Sequence, residues 1–159
     1  RTLRFIKERS NVLFLGPPGV GKTHLAVALG VEAIKKGYVS YFTTVDEIAR
    51  RLRTTKEDHF PRRLRHYAKP HVLIIDEIGY LPLDKEEANL LFQVIGARYE
   101  KGSIIITSNK SIVEWGEYLA DPVLASALLD RLLHHSYVIN IKGKSFRIKD
   151  KLKSGEKEK

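Results

Sequence analysis

Cysteine and methionine are both missing from the 159 residues, tryptophan occurs once, and 19 acidic residues face 28 lysines and arginines. Without cysteine there is no disulfide framework, no thiolate metal site and no cysteine nucleophile. The lack is in keeping with a reducing cytosol, so a cytoplasmic location is expected. Long apolar runs are missing too. Nothing approaches the ~18 residues that a membrane helix needs, and no membrane partner is expected; the strongest stretches, such as residues 72–75, are strand-sized. Because the chain starts at Arg1 and contains no methionine, position 1 is not expected to be the natural start, and an upstream segment is expected to be missing.

What is present argues for a folded domain. The composition is 43% hydrophobic, and a chain this long buries roughly 68–70% of the surface that it exposes when unfolded. Disorder throughout is excluded. The charge is uneven. Residues 50–69 carry eight cations against Glu57 and Asp58, residues 1–9 carry four against one, and residues 142–159 carry eight against three. The remainder of the chain is net acidic. A surplus gathered in three segments points to a polyanionic partner more than a uniform surplus does. The run over 151–159 reads instead as a solubilising, disordered tail following a domain at 1–150.

Strand-like runs alternate with helical periods, the pattern of an α/β domain on a mainly parallel five-stranded sheet between two helical layers. Strands are expected at 12–15, 39–43, 72–75, 103–108 and 137–141. Helices are expected at 22–36, closed by Gly37, and from Thr44, with a capping box to Glu47. Others are expected at 60–68, from Asp84 to Gly102, and from Asp121-Pro122 to His134. Tyr67 and Phe60 fall on the apolar side of their helix, so they read as core residues.

The sharpest motif is Gly16-Pro17-Pro18-Gly19-Val20-Gly21-Lys22-Thr23, a complete GxxxxGK[ST] loop with a strand before it and a helix after. Glycines let successive backbone N–H groups turn inward around phosphate oxygens, while the helix directs its positive end at the same point. Lys22 would reach the β- and γ-phosphates of ATP, Thr23 would offer its hydroxyl to Mg²⁺, and His24 completes the binding segment. The strand at 72–75 then delivers Asp76 and Glu77 to the edge where ligands of open α/β sheets bind. Asp76 would hold Mg²⁺, and Glu77 would deprotonate a water aimed at the γ-phosphate.

Asn109, after the next buried strand, is the candidate to polarise that water; alone it would read as a turn residue. Arg131 stands among Leu128, Leu129, Leu132 and Leu133, and on the residues alone an ion pair with Asp130 or another acid is the favoured reading. His134 and His135 lack metal-ligand companions at suitable sequence spacing and read as helix-end residues. Residues 5–11, before the first strand, are the expected adenine region.

Five blocks in order, GPPGVGKTHLA, LIIDEIGYLPL, IITSNKSIVEW, ALLDRLLHHS and GKSFR, cover roughly residues 5–148. By them the chain resembles the IstB/DnaC-like branch of the AAA+ ATPases, most closely the IstB-like transposition helpers. The resemblance implies a P-loop NTPase that hydrolyses ATP with Mg²⁺, assembles as a homo-oligomeric ring or helical filament, and engages double-stranded DNA. Its protein partner would be a transposase or, in relatives, a replicative helicase. It further implies that Lys22 and Thr23 form the phosphate loop, Asp76 and Glu77 the acidic pair, and Asn109 the first sensor. Arg131 would be an arginine finger reaching a neighbour's ATP, and Arg147 a second sensor in its own subunit. Two departures stand out: the family's additional N-terminal segment is not in this sequence, and Phe146 stands where relatives often have Tyr.

The resemblance also places a small basic helical insertion at 44–69. Arg50, Arg51, Arg53, Lys56, Arg62, Arg63, Arg65 and Lys69 are its candidate DNA contacts, to phosphates rather than bases. A small-molecule P-loop kinase is the reading from another class, and the adjacent acids and Arg131 argue against it.

Overall fold

The structure, a computed structural model, describes residues 3–143. Phe146, Arg147 and the basic tail lie outside the described residues. Five strands form one all-parallel sheet: β1 (Asn11–Leu15), β2 (Ser40–Thr44), β3 (Val72–Ile78), β4 (Ser103–Ser108) and β5 (Ser136–Asn140), in the spatial order β2-β3-β4-β1-β5. Parallel neighbours need crossovers, which the helices provide. These are α1 (Arg4–Lys7), α2 (Lys22–Lys35), α3 (Val45–Arg53), α4 (Phe60–Ala68), α5 (Lys85–Arg98), α6 (Trp115–Tyr118) and α7 (Pro122–Leu133).

Side chains alternate across a strand, so each central strand feeds two cores. Leu13, Leu15, Leu73, Ile75, Ile104 and Ile106 face one way, onto Ile48, Leu52, Leu91, Ile95 and Leu128 of α3, α5 and α7. Val12, Phe14, Ile74 and Ile105 face the other way, onto Phe5 and Ile6 of α1 and Ala26 and Ala33 of α2. The expected three-layer αβα sandwich results. No helix among the described residues is long and apolar enough to cross a membrane.

Local differences from expectation have local causes. Thr44 caps α3 by accepting the Glu47 N–H at 3.2 Å, but the box is half-made, because the Glu47 carboxylate turns to the Thr43 hydroxyl and to Arg51. Helix α5 stops at Arg98 rather than at Gly102, and the chain turns through Glu100 at φ 58°. Strand β3 runs on past Ile75 through both acids to Ile78, with a register irregularity between Ile75 and Ile78. The short helices α1 and α6 and the 3₁₀ turns Glu57–His59 and Ile112–Glu114 have too few residues for a readable period.

Arg98 explains where α5 ends. Its guanidinium is fully buried and donates to the carbonyls of Tyr67, Ala68, Pro70, His71 and Ser103 at 2.8–3.2 Å. These acceptors tie the end of α4 and the segment after it to the start of β4. Burial pushes the Arg98 pKa down to about 10, so the group is still charged at neutral pH. Replacing Arg98 with Met leaves five carbonyls without this donor, three of those bonds being fully buried, at a cost of roughly 3–5 kcal/mol. Urea unfolding measures this, and a loss below about 1 kcal/mol would show that the carbonyls find other partners.

Candidate functional site

The glycine loop leaves the end of β1 and enters α2. Gly21 is the N-cap of α2 at φ 96°, a left-handed conformation that an L side chain resists. The Gly16 N–H donates to the Ser108 carbonyl at 3.1 Å, tying the start of the loop to the end of β4. Lys22 is 5% exposed, and its ammonium donates to the Gly16 and Pro17 carbonyls at 2.7 Å each, which folds the loop around the charge. An ammonium has three protons, and these carbonyls take two. Burial pulls the Lys22 pKa down, while the Asp76 carboxylate pushes it back up. Pro17, Pro18, Thr23 and His24 are exposed, whereas Val20 is buried as the loop's anchor.

The second half of the site is a relay of side chains on the same sheet edge. Thr23 Oγ1 donates to the buried Asp76 carboxylate at 3.0 Å from Oδ1 and 3.2 Å from Oδ2. The Thr107 hydroxyl donates to Asp76 Oδ1 and accepts the Glu77 N–H at 3.0 Å. One threonine thus holds the carboxylate of Asp76 and the backbone of Glu77. Thr107 lies in the block IITSNKSIVEW, but the sequence assigns it no role. Its signal is the β3–β4 register, in which Ile75 faces Ile106, so the next residue along each strand brings Asp76 to Thr107. Glu77 itself is exposed at φ 64°. A left-handed conformation costs a non-glycine residue about 1–3 kcal/mol and is typical of functional positions. Here it turns the carboxylate away from the buried strand.

A hydroxyl and a carboxylate held 3.0 Å apart are hard oxygen donors, a set that suits Mg²⁺ rather than a soft metal. Asn109 follows β4 at this edge, and its Oδ1 is buried without a hydrogen-bond partner, an acceptor held ready for a donor.

Arg131 is elsewhere. It is half-buried, its guanidinium lies 4.5 Å from the Phe92 ring centroid, and a Cβ added to Gly96 would stand 2.6 Å from its Nη1. The ion pair with Asp130 is not formed, since successive helix residues point in different directions; a cation–π contact to α5 replaces it. Strand β5 starts just after α7 and runs parallel to β1, Ser136 beside Asn11 and Asn140 beside Leu15. Arg131 therefore sits at the edge where strands begin, and the phosphate loop at the edge where they end. Five strand residues separate the two by about 16 Å, further than an arginine side chain reaches.

Residues 5–11 also lie at the strand-start edge. Phe5 and Ile6 are buried in the core, and the Phe5 carbonyl accepts the Ser103 hydroxyl at 3.1 Å. The structure does not bring this segment to the phosphate loop.

The basic insertion is α3, the turn Glu57–His59 and α4. Val45, Ile48, Ala49, Leu52 and Tyr67 are buried, and Phe60, expected in the core with Tyr67, is half-buried against it. Arg50, Lys56, Arg62, Arg63, Arg65 and Lys69 are exposed and enter none of the ion pairs found among the described residues. Two of the expected cations differ. Arg51 pairs with Glu47 at 2.8 Å and donates to the Tyr41 hydroxyl at 3.1 Å, while Arg53 pairs with Asp84 and Glu87 at 2.9 Å and Glu86 at 3.3 Å. Their charge is already met by carboxylates.

An ATP-binding protein of insertion sequence IS5376 from Geobacillus stearothermophilus is 55% identical over 159 residues, 99% of this chain and 63% of its own length. One of insertion sequence IS21 from Pseudomonas aeruginosa is 53% identical over 154 residues, 96% of this chain and 58% of its own length. The chain thus spans about three fifths of these relatives. Among solved structures, the DnaC helicase loader superposes with a TM-score of 0.70 at 29% identity, over 87% of this chain and 85% of that one. DnaI gives 0.74 at 24%, over 87% and 80%, and shares the P-loop AAA+ fold. The family model described as IstB-like ATP binding protein matches residues 1–154, and the chain belongs to that family of insertion-sequence ATP-binding proteins.

Proposed function

We propose that this chain hydrolyses ATP as a homo-oligomer on duplex DNA and thereby assists a transposase. The observation that carries the reading is the relay Thr23, Asp76, Thr107, Glu77 along one sheet edge, beside the loop that Lys22 folds around its charge. A phosphate grip alone would serve a kinase equally well. An exposed acid one residue beyond a buried one supplies what hydrolysis needs, a base for water beside a holder for the metal. Lys22 and the loop N–H groups hold the phosphates, Thr23 and Asp76 hold the ion, and Glu77 takes the proton of the attacking water. Asn109 Oδ1 orients that water. Mg²⁺, when bound, neutralises charge developing on the phosphate oxygens. Arg131 acts on the neighbour's ATP, and Arg147, by the family resemblance, on its own.

The six unpaired cations of the insertion form the DNA face. Similarity to a helicase loader favours a replicative helicase as the second partner reading, and recovery of one protein or the other with the full-length chain separates them.

Duplex DNA and γ-labelled ATP test the proposal together. Label is expected in free phosphate, and log Kd for DNA is expected to vary with log salt by about 0.9 per phosphate contact. Reversing Arg62, Arg63 and Arg65 to Glu makes that dependence shallower by roughly 2 to 3. Label on a small-molecule acceptor would end the hydrolase reading, and an unchanged salt dependence would end the DNA face.

A further inference from the structure

At the strand-start edge, remote from the phosphate loop, the fold assembles a group that local sequence spacing does not reveal. Glu100, in the turn after α5, meets His134 and His135, which follow α7, and one donor atom from each lies within 4.8 Å of the other two. All three residues are exposed. From this juxtaposition we infer that Glu100, His134 and His135 form a binding site for a divalent transition ion of the Zn²⁺ class. The site staples the end of α7 to the turn between α5 and β4.

The donor chemistry selects the ion. Two imidazoles and one carboxylate make a set that Zn²⁺ takes with a fourth position open to water, whereas Mg²⁺ and Ca²⁺ prefer oxygen alone. Tetrahedral ligands at zinc distances stand about 3.3 Å apart, so closure asks each side chain to move by about an ångström, a rotamer adjustment rather than a backbone change.

The backbone beneath the donors is pinned. Asn11 N–H donates to the His135 carbonyl at 2.8 Å, Arg9 Nη1 to the Glu100 carbonyl at 3.0 Å, and His134 N–H to the Asp130 carbonyl at 3.2 Å. The two imidazole rings are 4.4 Å apart, with the Tyr99 ring edge-on to His134 at 6.0 Å. A pinned scaffold lowers the ordering cost of binding.

Two cations oppose the ion. Arg9 and Arg131 line the same shallow cleft as Glu100 and His135, and like charges nearby weaken cation binding. Affinity is therefore expected in the low-micromolar range rather than tighter.

The test uses the full chain without an affinity tag, stripped by chelator and free of nucleotide. Zn²⁺ titrated in a calorimeter is expected to bind at one equivalent per chain, and Co²⁺ to develop the visible absorption of a tetrahedral nitrogen–oxygen site. His134→Ala with His135→Ala should abolish both signals, and Glu100→Gln should weaken binding at least tenfold. Saturating Zn²⁺ should raise the unfolding midpoint of the parent and not of the double variant. Exposed positions tolerate these changes, and metal-free unfolding curves verify it. Absence of saturable micromolar binding would overturn the site. So would undiminished binding in the variants, which would place the ion on other histidines or on the Thr23 and Asp76 oxygens.

Discussion

Glu77→Gln is expected to keep ATP affinity within about twofold while lowering turnover by about 10²- to 10⁴-fold, the range a positioned base contributes. The phosphate grip lies in the glycine loop and Lys22, none of which touches the Glu77 side chain in the contacts described. The backbone of residue 77 is held by its N–H bond to Thr107 at 3.0 Å, which glutamine retains. An amide fills the same volume but does not take up a proton at neutral pH. Affinity by fluorescent-nucleotide titration and turnover by phosphate release give the two numbers. A parallel fall in both would mean that Glu77 serves binding, and the assignment of roles along β3 would fail.

Much of this arrangement was legible in the chain because it depends on local patterns. The alternation of apolar runs and helical periods follows from how strands and helices bury their faces, and the loop over residues 16–23 identifies itself by the backbone freedom that its glycines supply. The N-caps Asp84 and Asp121 also stand as expected, each accepting N–H groups of the first helical turn. What was not legible depends on which strands are neighbours. Thr107 is an ordinary β-branched residue until β4 lies beside β3, and Glu100 has no visible relation to His134 until α5 and α7 end at the same edge. Arg98 carries no signal in its own helix and becomes a structural post only because five carbonyls converge on it. Arg51 and Arg53 looked equivalent to their basic neighbours, and only the packing of α3 against Tyr41 and the start of α5 sets them apart. Residues 5–11, expected near adenine, precede a parallel strand and therefore lie at its starting edge, a strand's length from the loop.

The largest effect is expected at Arg131, and topology says why it must be tested in mixtures. Arg131 is separated from its own phosphate loop by the length of β5, so in the proposed oligomer its contribution to cleavage is expected in a neighbouring subunit. Arginines acting this way in phosphoryl transfer are worth ~10³ to 10⁵ in rate, and Arg131→Ala is expected to lose DNA-stimulated phosphate release by a factor in that range. The same residue also stacks on Phe92 of α5, so a loss in the single variant could arise from repacking of the chain. Mixing separates the causes. An Arg131→Ala subunit keeps an intact loop, a Lys22→Ala subunit keeps an intact arginine, and one orientation of the mixed interface holds both. Equimolar mixtures are expected to regain a substantial part of the parental rate, although neither variant is active alone. Arg131→Lys, which keeps the charge but not the planar fork, should remain impaired alone and be rescued in the same way. If cross-linking shows mixed assemblies that stay inactive, Arg131 supports its own fold and the composite site between subunits does not exist.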